Sequence, residues 1–314
     1  MSTQEHATAA AGAESSIENA IPRPSTNNTD HPEATRADYV AALNRFDAAI
    51  CEAIAVSQAT SARFVAAHLG YGTKLFARLC AHGIALIRAV PLTRWVRSDH
   101  EDWDFSCAAP HVRAILEGYL YFAYIIETPV SDVEWSAKIN IMHLNDCMRR
   151  VKLFKNLENE TEVSALSAQA DEIRERLAKN AYFQLMPEAK KKKFLAGEYL
   201  MIDSRDERLN KLGIDAKTFA VIWDLLSQNT HVLTFSFYRM EPNGRGTGLE
   251  NLTDRSYLTR FLNIAAETVE EATNLMVGAF PDATEVRKGT KSGFSPGPRS
   301  NEMAKKVAQR QKGK

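Results

Sequence analysis

The chain has 314 residues, 45% of them hydrophobic and 25% charged, and its 39 basic residues balance 39 acidic ones. That is the balance of a globular protein able to bury a sizeable core. Four cysteines, Cys51, Cys80, Cys107 and Cys147, are widely spaced with no C-x-x-C pair; they exclude a disulfide scaffold and read as reduced, mostly buried thiols of a cytoplasmic protein.

Residues 1–34 are rich in Ala, Ser, Thr, Asn and Pro, too poor in large apolar groups to offset the entropy of ordering, and are expected to be a disordered tail. They have neither the basic start nor the apolar centre of a secretory signal. From 35 to 280 the expectation is one all-α, multi-helix bundle. "ADYVAALNRFDAAICEAIAVS" repeats apolar residues at Tyr39, Leu43, Phe46, Ile50 and Ile54, a three-and-four spacing that marks one face of a helix. "GYGTK" at 70–74 reads as a flexible connector to the helix "KLFARLCAHGIALIRAV", which stops at Pro91.

"HVRAILEGYLYFAYIIE", 111–127, is the most apolar stretch of the chain, yet it falls short of the roughly 18 to 20 residues of a membrane helix and carries two opposite charges. It predicts a central helix of a protein with no membrane span. "SDVEWSAKINIMHLNDCMRRVKLF" opens with Ser131 and Glu134 at capping-box spacing. "TEVSALSAQADEIRERLAKN" and "PEAKKKKFLAG" predict a charged, peripheral helical pair. "DAKTFAVIWDLLSQNTH" and "DRSYLTRFLNIAAETVEEATNLMVGAF" each open with an Asp suited to capping. Between them only "VLTFSFY", 232–238, alternates as a strand would, and one short strand makes no sheet. Beyond Pro281 the pattern breaks, and 281–314 is expected to be a basic disordered tail: from Arg287 onward nine Lys or Arg face Glu302 alone. Such a tail, with "RRVKLFK" at 149–155 and Lys190–Lys193, suits RNA or an acidic partner; the plain alternative is a solvated surface balanced by Glu158, Glu160, Glu172 and Glu175.

On a helical wheel Glu117, Tyr121 and Tyr124 lie within about 80 degrees of Arg113, while Val112, Ile115, Leu116, Phe122, Ala123 and Ile126 fill the other sides. A polar stripe on such a helix must face polar partners inside the protein, because an unpaired buried charge costs several kcal/mol. One carboxylate cannot use all the donors of a guanidinium, and the further acceptors fall in "LLSQNTHVLTF". On that helix Phe219, Trp223, Leu226 and Thr230 form the core face, with Ser227 and His231 on its flank. The cluster of Arg113, Glu117, Tyr121, Tyr124, Ser227 and His231 is expected either to fix helix register or to line a pocket for a small anion.

The R-x-x-x-E of Arg113 and Glu117, followed by "LLSQNTH", resembles a family of uncharacterised bacterial all-helical proteins with an R-x-x-x-E helix and a later S-x-x-x-H-like element. The likeness spans about 100 to 280 and implies a fold and a site, not a reaction. A more distant resemblance is to the HEPN superfamily, helical metal-independent ribonucleases whose signature is an arginine four to six residues before a histidine. Here Ser227, Gln228, Asn229 and Thr230 precede His231, so Arg113 would supply that charge from another helix. The resemblance implies His231 as acid or base, Arg113 stabilising charge on phosphate, and Ser227 or Tyr124 orienting the substrate.

No Glu-x-x-His pair of a helical di-metal site and no H-E-x-x-H occurs, so no cofactor or metal is expected. His143, Asp146 and Cys147 share a helix face and could serve a metal only with further ligands. "GRGTG" at 244–248 lacks the context of a phosphate cradle.

Overall fold

The computed structural model describes residues 33–238, 240 and 244–292; the tail expectations for 1–32 and 293–314 lie outside them. The architecture is all-α, and no β-strand forms among the described residues. The helices are α1 (Arg36–Ala59), α2 (Ala67–Ala89), α3 (Ala109–Ile126), α4 (Asp132–Asn156), α5 (Glu160–Ala178), α6 (Ala181–Gln184), α7 (Glu188–Leu195), α8 (Arg205–Lys211), α9 (Ala216–Thr230), α10 (Thr234–Phe237) and α11 (Leu252–Ala279), with short 3-10 turns at Phe105–Cys107 and Pro281–Val286. They divide into two compact units, where the sequence had suggested a single bundle over 35–280. The division passes through α3, whose residues up to Ala123 belong to the first unit and whose last turn belongs to the second.

In the first unit α1 and α11 are the most extensive pair. Tyr39, Phe46 and Ile50 of α1 are fully buried, as are Ala265, Ala266 and Met276 of α11. Thr35 opens α1 with a capping box: its hydroxyl accepts from the Asp38 amide and the Asp38 carboxylate accepts from the Thr35 amide, satisfying two otherwise free donors. Arg45 grips Glu270 with two bonds of 3.1 and 2.7 Å. Helix α2 comes very close to α1 at Gly83, where a β-carbon would stand 2.4 Å from Cδ1 of Ile50. Phe105 stacks on Phe261 and Tyr257, with ring centroids 4.9 and 5.2 Å apart.

The second unit comprises 66–69 and 124–214, and α4 packs chiefly on α5. Ile141, Leu144 and Ala137 of α4 meet Ile173, Leu177 and Ala170 of α5, and Phe183 and Phe194 of the short helices close the same core. Gly197 follows α7 in the left-handed region at φ +72, and its missing side chain leaves room for Met148, whose Cγ would be 2.5 Å from a β-carbon. The helical pair expected to be peripheral thus supplies much of this unit's core.

Several local expectations change. "GYGTK" is not a connector; it lies within α2. Glycine in a helix costs roughly 1 kcal/mol relative to alanine, and packing of the buried Gly72 and Phe76 face offsets it. "VLTFSFY" forms the helix α10 instead of a strand, since no neighbouring chain offers a ladder to pair with. Ser131 caps α4 as expected, but Glu134 reaches back to the Val130 amide. Asn251, not Asp254, caps α11; the Asp254 side chain pairs with Arg245 at 2.9 Å. The assignment of 281–292 to the tail is also corrected. Ala283 is buried, Arg287 pairs with Glu52 at 2.9 Å, and the Gly289 amide donates to the same carboxylate. These partners lie more than two hundred residues earlier, beyond the reach of any local pattern.

Candidate surface cluster on α3 and α9

The apolar flanks of α3 are buried as the wheel required: Val112, Ile115, Phe122 and Ala123 are covered, against neighbours such as Phe76, whose ring centroid is 5.6 Å from that of Phe122. Its polar stripe is placed differently. The Arg113 side chain is 18% exposed and that of Glu117 47%, so the pair lies at the surface of the first unit and not inside it. The central-helix expectation fails on this stripe because α9 covers only one edge of it.

That edge supplies the partners. Nη1 of Arg113 lies 2.9 Å from Nε2 of His231, and Nη2 donates to Oε1 of Glu117 at 3.4 Å. The guanidinium carbon sits 4.6 Å from the centroid of Trp223, a cation–π arrangement. Trp223 Nε1 donates to the same Glu117 oxygen at 2.5 Å. Arg113 is therefore held from three directions by Glu117, Trp223 and His231, and its Nε is buried without an acceptor. Trp223 was assigned to the core face from its spacing; its role here was missed, although it stands two turns before His231 on the same helix.

His231 terminates α9. Its amide donates to the Ser227 carbonyl at 3.1 Å and the Leu233 amide to the Gln228 carbonyl at 3.0 Å, the pattern of a helix stop in which the residue between is left-handed. That residue is Val232, at φ +52, a conformation a β-branched side chain rarely adopts. The chain beyond is exposed: Val232, Leu233, Phe235, Phe237 and Tyr238 all present apolar surface to solvent.

The other named residues are placed elsewhere. Ser227 is buried and donates its hydroxyl to the Trp223 carbonyl at 2.6 Å, a bond within its own helix that keeps it from acting on a ligand beside Arg113. Tyr124 belongs to the second unit, where it is buried and its hydroxyl accepts from the Ile202 amide at 3.2 Å. The cations of Lys138 and Arg208 lie 5.0 and 5.9 Å from its ring centroid. Tyr121 stays in the first unit, and burial pushes its phenol well above the ordinary tyrosine range, so it remains protonated.

The remaining candidates take on structural roles. Burial holds His143 below the usual histidine range, Arg176 adds to the effect and Asp146 opposes it. Among the described residues no group of three or more His, Cys, Asp or Glu is assembled to hold a metal ion, and no helix is long and apolar enough to cross a membrane. None of Cys51, Cys80, Cys107 and Cys147 is in a disulfide, and of the four only Cys107 is exposed. In the basic stretches Arg150 faces Asp146 at 4.0 Å, Lys190 faces Glu207 at 3.5 Å and Lys191 pairs with Glu188. Phe183 and Phe194 are each 1% exposed, so those rings are unavailable for stacking on bases. No family model, curated protein or solved structure matches the chain.

Proposed function

We propose that the protein is a helical binding module whose Arg113–His231 pair holds an anion of the phosphate class. The observation that carries this reading is the 2.9 Å approach of the two side chains at an accessible surface. A guanidinium only donates, so Nε2 of His231 acts as acceptor toward it. An anion set beside the pair takes the Arg113 N–H groups that Glu117 and His231 leave over. Trp223 and Glu117 hold the guanidinium in place meanwhile, which lowers the ordering cost of binding.

Titration of the full chain with inorganic phosphate and adenosine monophosphate tests this. Binding, read by calorimetry, should be lost in both Arg113→Gln and His231→Asn. Binding that survives both substitutions would refute the assignment.

The second reading is a metal-independent RNA endonuclease of HEPN type. The exposed Phe235, Phe237 and Tyr238 immediately after His231 favour it, since single-stranded bases stack on such rings. Cleavage by the 2′-hydroxyl moves two protons, one off that hydroxyl and one onto the departing 5′-oxygen. The cluster offers one imidazole, and Glu117 is engaged by Trp223, so binding is placed before cleavage. RNA cleaved in EDTA by the wild type and not by His231→Ala would reverse that order.

A further inference from the structure

Helix α7 carries Lys190, Lys191, Lys192 and Lys193 in succession, and at 100 degrees per residue they fan around the helix instead of sharing one face. Each side of α7 borders a groove within the second unit. One encloses about 630 Å³ beside Lys191 and Lys192; there Lys191 is already paired with Glu188 and donates to the Gln184 carbonyl. The other encloses about 280 Å³ beside Lys190 and Lys193, and its walls include Phe194, Tyr199, Met201 and Ile202.

The smaller groove combines an apolar lining with an uncommitted cation. Lys193 forms no ion pair among the described residues; its ammonium donates to the Tyr199 hydroxyl at 3.1 Å and lies 5.4 Å from that ring's centroid. An ammonium has three donors, so two remain, and the Tyr199 O–H is left free to donate as well. Asp203, which also lines the groove, is neutralised by Lys211 at 2.8 Å and by Arg208 at 3.6 Å. Lys190 has its own acid in Glu207. Glu198 acts on Lys193 from a distance without pairing with it, so the Lys193 ammonium is the cation on this groove that has no ion-pair partner among the described residues.

We propose that this groove binds a small amphiphilic anion, an acyl or aryl carboxylate whose head is held by Lys193 and the Tyr199 hydroxyl and whose apolar body lies against Met201 and Ile202. The volume falls just below the usual range of ligand pockets, roughly 300–1,000 Å³, which suits a short acyl chain better than a stretch of polypeptide.

The test uses the fluorescence of anilinonaphthalene sulfonate bound to the full chain, with displacement by octanoate and by octanol, which share an apolar body and differ in charge. Octanoate should displace the probe with an affinity about tenfold above that of octanol. Lys193→Met, an exposed substitution, should remove that preference, and Tyr199→Phe should reduce it. Met201→Trp, checked by circular dichroism for retained helix, should fill the groove and abolish displacement by both. Absence of a fluorescence rise, equal displacement by octanoate and octanol, or a preference unchanged in Lys193→Met would overturn the proposal. So would a probe signal lost in Phe235→Ser/Phe237→Ser but kept in Met201→Trp, which would place the probe on the exposed apolar segment, or displacement by an acidic peptide alone, which would assign the groove to a protein partner.

Discussion

Arg113 and His231 are 118 residues apart in the chain and meet at 2.9 Å, one from the second turn of α3 and the other from the residue that ends α9. The contact is made at the rim of the first unit, where Trp223 stacks beneath the guanidinium and water has access to Glu117. Its energetics are consequently those of a surface cluster.

Replacing Arg113 by alanine should destabilise the protein by about 1–2 kcal/mol, the sum of a cation–π contact and a partly exposed ion pair. For a chain of this size that is a fall in melting temperature of a few degrees. A loss of 3–5 kcal/mol, the range for breaking a buried ion pair, would mean that the cluster is enclosed. Urea unfolding monitored by circular dichroism separates the two.

Asp254 provides the contrasting case. It is fully buried and pairs with Arg245, whose side chain is 10% exposed and lies 5.3 Å from the Tyr257 ring centroid. Asp254→Ala leaves that guanidinium without its partner and should cost about 3–5 kcal/mol. An unfolding midpoint within error of wild type would show that the pair contributes nothing.

Val232 is left-handed at φ +52, a position that normally falls to glycine. Val232→Gly removes a steric cost of roughly 1–2 kcal/mol while adding entropy to the unfolded chain. A stability gain of up to about 1 kcal/mol is expected, with phosphate binding unchanged. A clear drop in melting temperature would show that the valine side chain holds more than its backbone geometry costs.

At Gly83 the space for a side chain is already taken by Ile50, which is fully buried. Gly83→Ala should therefore destabilise by about 1–3 kcal/mol through overpacking, despite alanine's better helix propensity. Adding Ile50→Val, which removes the obstructing Cδ1, should recover part of the loss. A double variant as unstable as the sum of the two singles would contradict this account.

Acid should weaken the fold before its carboxylates titrate. Burial lowers the pKa of His82 from its ordinary 6.5, with His111 and Arg78 adding to the effect; burial likewise lowers His111 and, with Lys138, His68. The unfolded chain then binds more protons than the folded one as pH falls through about 6.5, so stability falls with it and levels off below the lowered folded values. The denaturation midpoint at about pH 5.5 should lie below that at about pH 7.5, and His82→Gln/His111→Gln should flatten the difference. Equal slopes in wild type and variant would remove these histidines from the explanation.

The spacing of Tyr39, Phe46 and Ile50 was enough to place α1 and name its buried face, and Ser131 and Asp215 stood at the helix starts they cap. These features are local: a helix face is set by residues three and four apart, and a cap by its own first turn. The pairing of the Arg113 stripe with the α9 end was also suggested by chemistry, since a guanidinium on an apolar helix needs acceptors. Its exposure was not. A wheel tells which residues share a side, but whether that side is covered depends on a helix arriving from a hundred residues away, and α9 touches both Arg113 and Glu117 while leaving the Glu117 carboxylate half exposed.

Sequence by itself determined most of the long helices, their apolar faces and the residue types that would seek one another, because periodicity and capping are short-range. Only the tertiary structure decided that Ser227 is buried, that Tyr124 lies in the second unit, that 281–292 is anchored on Glu52, and that α7 borders two grooves. Each of these depends on which long-range contacts exclude water, and that is fixed when the whole chain packs.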